Sequence, residues 1–360
     1  MNHLSFPAGT HRGGLLALCC CLILMGTDVS PGQSNTGTLQ RFEIKKRQMG
    51  VQFGFVVYAS DLDKAKAGIT AVFERIAELE DRLSDYDATS ELMQLCRGAR
   101  AGVPHPVSKD LLHVLSLSRE ISRTSQGAFD PTVGHLSRLW RNARKSGRVP
   151  SQAAIDQARA EVDWKQIRID RKKKKVTLQK EGMQIDLGGI AKGFAADQAI
   201  QVFRDHGLPR CLVDASGDVT VGDPPPGRKG WRIAVGGRES ERVVLANGSV
   251  ASSGDRYQYL EHDNVRYSHI LNPATGWGMT DRRLVTVISR DPIASGALAD
   301  SLASAFSVLP VDRMQDMAEQ WKQHSVRVQR IRPDKPNETL FVSPNFETVQ
   351  PPGKPAEEQK

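Results

Sequence analysis

The chain has 360 residues, 39% of them hydrophobic and 25% charged. That length and balance suit one large or two ordinary soluble domains and exclude a low-complexity or membrane-filling chain. A formal charge of +8 and a pI near 9.3 would favour an anionic cofactor or a membrane surface.

The first residues are polar and carry His11 and Arg12. An apolar run of eleven residues follows, Leu15 to Met25. It has the length of a signal-peptide core and is too short to span a bilayer, so residues 1–26 read as a signal peptide and the chain as exported, to the periplasm or a membrane facing it. Cys19, Cys20 and Cys21 fall inside that run. A lipoprotein needs a small residue before its acylated cysteine, and Leu18 stands there, so the sequence leaves a lipid anchor and membrane association open. Cys96 and Cys211 can pair in an oxidising compartment, although no spacing demands it. Residues 27–44, Gly/Ser/Thr/Gln-rich over 31–40, read as a linker.

Val51, Phe53, Phe55 and Val57 alternate as a strand, and Ala65, Ile69, Val72, Phe73, Ile76, Leu79 and Leu83 recur at helical spacing. That helix ends at Leu83-Ser84-Asp85-Tyr86, where Tyr86 is either an aromatic lid over a flat ligand or a half-buried tyrosine. A second helix spans about Ser108 to Thr124. Gly127 then introduces Ala128-Phe129-Asp130-Pro131-Thr132-Val133-Gly134, which can form a pocket wall. Local signals favour an ordinary turn with Asp130 as N-cap and Pro131 at the first helical position. The basic run Arg171 to Lys175 lies between two short β-like pieces, so it reads as a solvated hairpin turn, and no nucleic-acid partner is expected.

Met183-Gln184-Ile185-Asp186 reads as a strand end. Gly188 and Gly189 follow, then a helix with Ala191, Ala195, Ala199 and Phe203 on one face. A glycine turn at a helix N-terminus is a recipe for holding phosphate, because bare N–H groups and the helix dipole favour negative charge. The spacing fits neither the dinucleotide fingerprint nor the P-loop. Largely β sequence continues to the buried-type strand Leu284 to Ile288. On the helix Ala294 to Leu309, Asp300 and Ser304 are i, i+4 neighbours that offer two oxygens to a hard cation such as Mg²⁺, or form a solvated face. Thr339 to Ser343 closes the domain, and residues 347–360 read as a disordered tail. Helices alternating irregularly with hairpin-like strands argue for an α+β fold over a regular parallel array.

Seven motifs in this order resemble the ApbE family, the FAD:protein FMN transferases. They are Met49-Gly50; Leu83-Ser84-Asp85-Tyr86 with Ser90-Glu91-Leu92; Gly127 to Gly134; Asp186 to Asp197; Ser253-Gly254-Asp255; His269-Ile270-Leu271-Asn272-Pro273 with Thr275-Gly276; and Ala299 to Ser304. The resemblance implies a single domain over 45–346, with mixed, largely antiparallel sheets, flanking helices and a cofactor cleft between two lobes. It implies Mg²⁺-dependent transfer of FMN from FAD to a Thr or Ser hydroxyl of a target protein, a respiratory redox subunit, with release of AMP. Carried over, Met49, Tyr86, Ala128, Phe129, Asp130, Asp186 and Lys192 would line the FAD site. The Gly189 carbonyl, Asp300 and Ser304 would hold the metal. Lys192 would also stabilise charge in catalysis, with His269 or Asp255 as the base. Three positions depart from the family pattern: Val51 and Ser304, where threonine is usual, and Asn272, where aspartate is frequent. Rival readings are FAD hydrolysis to FMN and AMP, a non-enzymatic FAD-binding electron carrier, and a binding protein without a cofactor.

Overall fold

In the computed structural model, residues 38–348 are described except 237, 257 and 333. The expected signal segment and nearly all of the expected tail lie outside the described residues. The first hairpin joins β1 (Gln40–Gln48) to β2 (Val51–Ala59) through Met49 (φ 48°) and Gly50 (φ 74°). Two positive φ angles in a two-residue loop match the twist of the flanking strands. β1 takes residues 40–44 out of the expected linker. It is an edge strand in which only Phe42 and Gln48 are buried, so the sequence carries little apolar alternation to reveal it.

The chain continues through α1 (Leu62–Leu83), α2 (Glu91–Gly98), β3 (Pro104–Pro106), α3 (Lys109–Thr124), α4 (Gly134–Ser146), α5 (Gln152–Arg159), β4 (Ile167–Asp170) and β5 (Lys175–Leu178). Next come α6 (Ala191–Asp205), β6 (Cys211–Ala215), β7 (Asp218–Val221), β8 (Trp231–Val235), β9 (Arg238–Leu245), β10 (Gly248–Gly254), β11 (Tyr259–His262) and β12 (Val265–Ser268). β13 (Arg283–Ser289), α7 (Ser295–Val308), α8 (Met314–Gln320), β14 (His324–Arg330) and β15 (Glu338–Val342) complete it. The basic run is the turn of the β4–β5 hairpin, with Asp170 paired to Lys175.

An eight-stranded sheet, ordered β1-β2-β6-β7-β10-β13-β14-β15, is antiparallel at every pairing. Phe53, Phe55 and Val57 of β2 face a large core shared with α1, α6 and α7. Val56, Val221, Val250 and Ile288 face the other way, under the β8–β9 hairpin with Trp231 and Ile233. With both faces covered, β13 reads as a nearly continuous apolar run, interrupted by Thr286, instead of an alternating one. A smaller core gathers Leu136, Trp140 and Ala143 of α4 with Ile155 and Leu260, and Tyr267, Leu271 and Trp277 pack on it. Among the described residues no helix is long and apolar enough to cross a membrane.

The expected strand end Met183 to Asp186 is not a strand. The Gly134 amide donates to the Gln184 carbonyl (3.1 Å) and the Asp186 amide to the Pro131 carbonyl (2.8 Å), so the segment is laid along the 131–134 turn. Alternating apolar residues are satisfied there by burial of Met183 and Ile185 alone. Cys96 and Cys211 are unpaired buried thiols, which burial pushes up to about 11 and about 12.

Candidate active site

Two helix N-termini abut behind the glycine turn. A Cβ on Gly193 of α6 would lie 2.1 Å from the Gly296 carbonyl oxygen of α7, and one on Gly296 would lie 2.4 Å from the Gly193 oxygen. Only glycine allows that crossing. Each helix then caps the other. Asp197 of α6 accepts from the amides of Gly296 (2.7 Å) and Ala297 (2.9 Å), while Asp300 of α7 accepts from the Gly193 amide (3.2 Å). α7 is therefore closed to an anion. The α6 end has no side-chain cap at Ile190; its approach is shaped by the Gly188 amide donating to Asp186 Oδ1 (2.7 Å).

Lys192 stands at this turn. Its Nζ lies 3.2 Å from the Gly188 carbonyl, 3.2 Å from Asp300 Oδ2 and 3.7 Å from Asp218 Oδ2. Burial alone would discharge the amine, but the two carboxylates outweigh it and its pKa is raised. Burial and the Asp300 charge push Asp218 up to about 7, with Lys192 pulling the other way. A Cβ on Gly189 would meet Ser304 Oγ at 2.9 Å and the Phe129 ring at 3.3 Å. Ser304 and Phe129 thus both close on Gly189, and Asp300, one helical turn before Ser304, is 6% exposed. The i, i+4 pair is no solvated face: nearly all of α7 is buried. Among the described residues no three His, Cys, Asp or Glu side chains gather as a metal set. The expected set needs only one carboxylate, beside a hydroxyl and a carbonyl.

Tyr86 lies on the loop after α1. Ser84 Oγ accepts from the amides of Tyr86 and Asp87, and Ser90 Oγ donates back to the Ser84 carbonyl (2.6 Å). Arg141 of α4 pairs with both Asp85 and Asp186 and lies over the Tyr86 ring. Burial, then the Asp186 charge, pushes Asp85 up to about 6 against the opposing pull of Arg141.

Asp130 spends both oxygens inside the protein: on the Thr132 amide (2.8 Å) and hydroxyl (2.6 Å), and on the Trp164 amide (3.1 Å). Burial pushes its carboxyl up to about 6. The expected helix start at Pro131 is not realised, since α4 begins at Gly134; Asp130 caps a turn instead. Phe129 is buried against Gly189, and Ala128 packs half-buried on the core. The Met49 amide donates to Glu80 of α1 (3.1 Å) and not to the Lys192 cluster.

The two candidate bases differ sharply. Asp255 is 2% exposed, with Oδ2 2.9 Å from Arg266 and 3.5 Å from Arg282. His269 Nδ1 sits 3.0 Å from the Gln258 carbonyl, so Nδ1 carries the hydrogen and neutral Nε2 keeps a lone pair. Burial lowers the His269 pKa. The Gln258 contact opposes that, the charges of Arg144 and Lys192 lower it further, and Asp255 raises it. His269 thus stands within electrostatic reach of α4 and of the α6 turn. A hollow of about 600 Å³ beside Ser116, Arg119 and Arg171 shares no residue with this site. Another, about 470 Å³ and lined by Asn272, Trp277 and Met279, adjoins the His269 segment, since the Met279 amide donates to the Ile270 carbonyl (2.9 Å).

Nothing in the local sequence singles out Arg141 or Asp218. Asp218 follows a Ser-Gly turn like many others, and a lone arginine on an exposed-looking helix gives no local signal.

A family model described as the ApbE family matches residues 49–328. The chain belongs to the ApbE family. It is 26% identical over 343 residues to the FAD:protein FMN transferase of Salmonella typhimurium, covering 92% of this chain and 96% of the relative. The FAD:protein FMN transferase of Treponema pallidum is 31% identical over 268 residues, covering 69% and 72%. The apo crystal structure of the Pseudomonas stutzeri flavinyl transferase ApbE aligns with a TM-score of 0.72 at 25% identity, over 86% of this chain and 96% of that one. The α+β architecture is thus the ApbE fold. Of the three departures from the ApbE pattern, Val51 simply opens β2 after the turn. Asn272 Oδ1 accepts from the Ala274 amide (2.9 Å) and closes the Asn-Pro turn, which an amide does as well as a carboxylate. Ser304 keeps its hydroxyl against Gly189 but lacks the methyl that would restrict its rotamer.

Proposed function

We propose that this chain is an exported, Mg²⁺-dependent FAD:protein FMN transferase that moves FMN from FAD to a Thr or Ser hydroxyl of a target protein and releases AMP. The observation that carries the reading is the convergence of Lys192, Asp300 and the Gly189–Ser304 contact on one glycine turn at the α6 N-terminus, whose own N-cap residue Ile190 supplies no side-chain cap. Both relatives described above are named for this transfer.

The Gly189 carbonyl, Asp300 and Ser304 Oγ are hard oxygen donors, and the Gly189–Ser304 approach leaves no room for a side chain between them; they fit Mg²⁺. When bound, Mg²⁺ would neutralise diphosphate charge and stabilise the departing AMP oxygen. The α6 N-terminus and Lys192, whose Nζ lies 3.2 Å from the Gly188 carbonyl, attract the same negative charge. His269 accepts the proton of the acceptor hydroxyl at Nε2. The hydroxyl oxygen bonds to the FMN phosphorus, the bridging P–O bond breaks, and AMP leaves with the bridging oxygen. Asp255, locked between two arginines, anchors the segment that leads to His269. Tyr86, 78% exposed, offers a flat surface for the flavin ring, and Asp186 holds the turn. The run Leu15 to Met25 supports export to the periplasm or its membrane face, and the target would be a respiratory redox subunit there.

Asp300→Ala is expected to abolish Mg²⁺-dependent transfer, measured as covalent flavin on an acceptor protein. Undiminished flavinylation by that variant removes Asp300 from the metal site.

A further inference from the structure

Three segments far apart in sequence meet at one guanidinium. Arg141 donates to Asp85 and, at 2.9 Å, to Asp186 Oδ2, and its Cζ lies 4.0 Å from the centre of the Tyr86 ring. The three charged side chains are only 12–20% exposed, whereas Tyr86 is 78% exposed. A half-buried charged fork therefore carries an exposed aromatic ring. A tyrosine at a loop tip ordinarily samples several rotamers, and a ligand that stacks on it must freeze them. A guanidinium plane against one face, itself fixed by two carboxylates, removes that freedom beforehand and leaves the rest of the ring to a ligand. Asp186, the second carboxylate, also accepts from the Gly188 amide (2.7 Å), so the same arginine is tied to the phosphate turn.

We infer that Arg141 is a positioning residue: it presets Tyr86 as the stacking platform for the flavin ring and couples that platform, through Asp186, to the turn that receives the diphosphate. The inference rests on the FAD reading above. Lysine cannot replace it, because a single ammonium cannot bridge two carboxylates and lie flat on a ring.

The test is a titration of the full chain with FAD in EDTA, so that no transfer occurs, followed by flavin fluorescence. Arg141→Met is expected to weaken FAD binding about tenfold, with Arg141→Lys recovering less than half of that loss. With Mg²⁺ and acceptor present, KM for FAD rises while kcat at saturation stays nearly constant. Because Arg141 acts partly through the ring, Arg141→Met with Tyr86→Ala loses less than the product of the two single losses. Thermal unfolding identifies a variant that has not folded, and the lysine variant, which keeps the charge, then carries the comparison. Wild-type affinity in Arg141→Met, tighter binding, or fully multiplicative losses overturn the inference while leaving the FAD reading intact. A wild-type chain without FAD affinity overturns both.

Discussion

At His269 a single contact decides what the residue can do. With Nδ1 held on the Gln258 carbonyl, only Nε2 can take a proton, and burial holds the pKa below the ordinary imidazole range. The imidazole is then neutral, and competent as a base, at neutral pH. The rate of transfer should climb as pH rises through that lowered pKa and then level off, and His269→Ala should lose about a hundredfold or more in kcat. A profile whose acid limb survives in His269→Ala assigns the proton to another group. Asp186, Lys192, Asp300 and Ser304 were legible because each sits in a motif with a fixed spacing. Arg141 and Asp218 were not, since they act only through partners that the fold brings from elsewhere. At Asp130 the expected helix cap was not realised for a related reason: its type and place suit an N-cap, but one of its oxygens is taken by the Trp164 amide, 34 positions away.

Helix periodicity placed α1, α3, α6 and α7 within a few residues, because each turns a continuous apolar face to the large core. What periodicity could not show is that α6 and α7 cross at Gly193 and Gly296 and exchange caps. Asp197 carries the consequence. Its carboxylate satisfies two buried amides of α7, so Asp197→Ala should cost about 2 kcal/mol, measured by urea unfolding. Since α7 carries Asp300 and Ser304, the same variant should need more Mg²⁺ for half-maximal activity. Unchanged stability would show that water replaces the cap. The lost strand at Met183 to Asp186 belongs to the same scale, for an extended apolar segment becomes a strand only where a neighbouring strand accepts it.

The whole molecule is a broad antiparallel sheet with helices on one face, a hairpin on the other, and a small second core that brings α4 and the His269 segment to the α6 turn. One buried group outside the site makes an acid-sensitive contribution to stability. His324 is 1% exposed, neither ring nitrogen has a partner, and burial pushes its pKa down to about 4, against a small upward pull from Asp291. The unfolded chain binds this proton near pH 6.5 and the folded chain near 4. The His324 contribution to stability is therefore undiminished above 6.5 and falls between the two values, by about 2 kcal/mol from pH 7.5 to pH 5, while the buried carboxyls raised to about 6 and 7 act in the opposite direction. His324→Phe should lose correspondingly less on acidification in paired denaturant titrations; an equal loss removes His324 as the cause. The central claim concerns one bond in FAD, and the most direct measurement counts its products. The full-length chain is incubated with FAD, Mg²⁺ and an exported redox subunit, and AMP and acceptor-bound flavin are quantified together. The expected result is one AMP for every FMN covalently bound to a Thr or Ser of the acceptor. AMP matched only by free FMN, or FAD recovered intact, contradicts it.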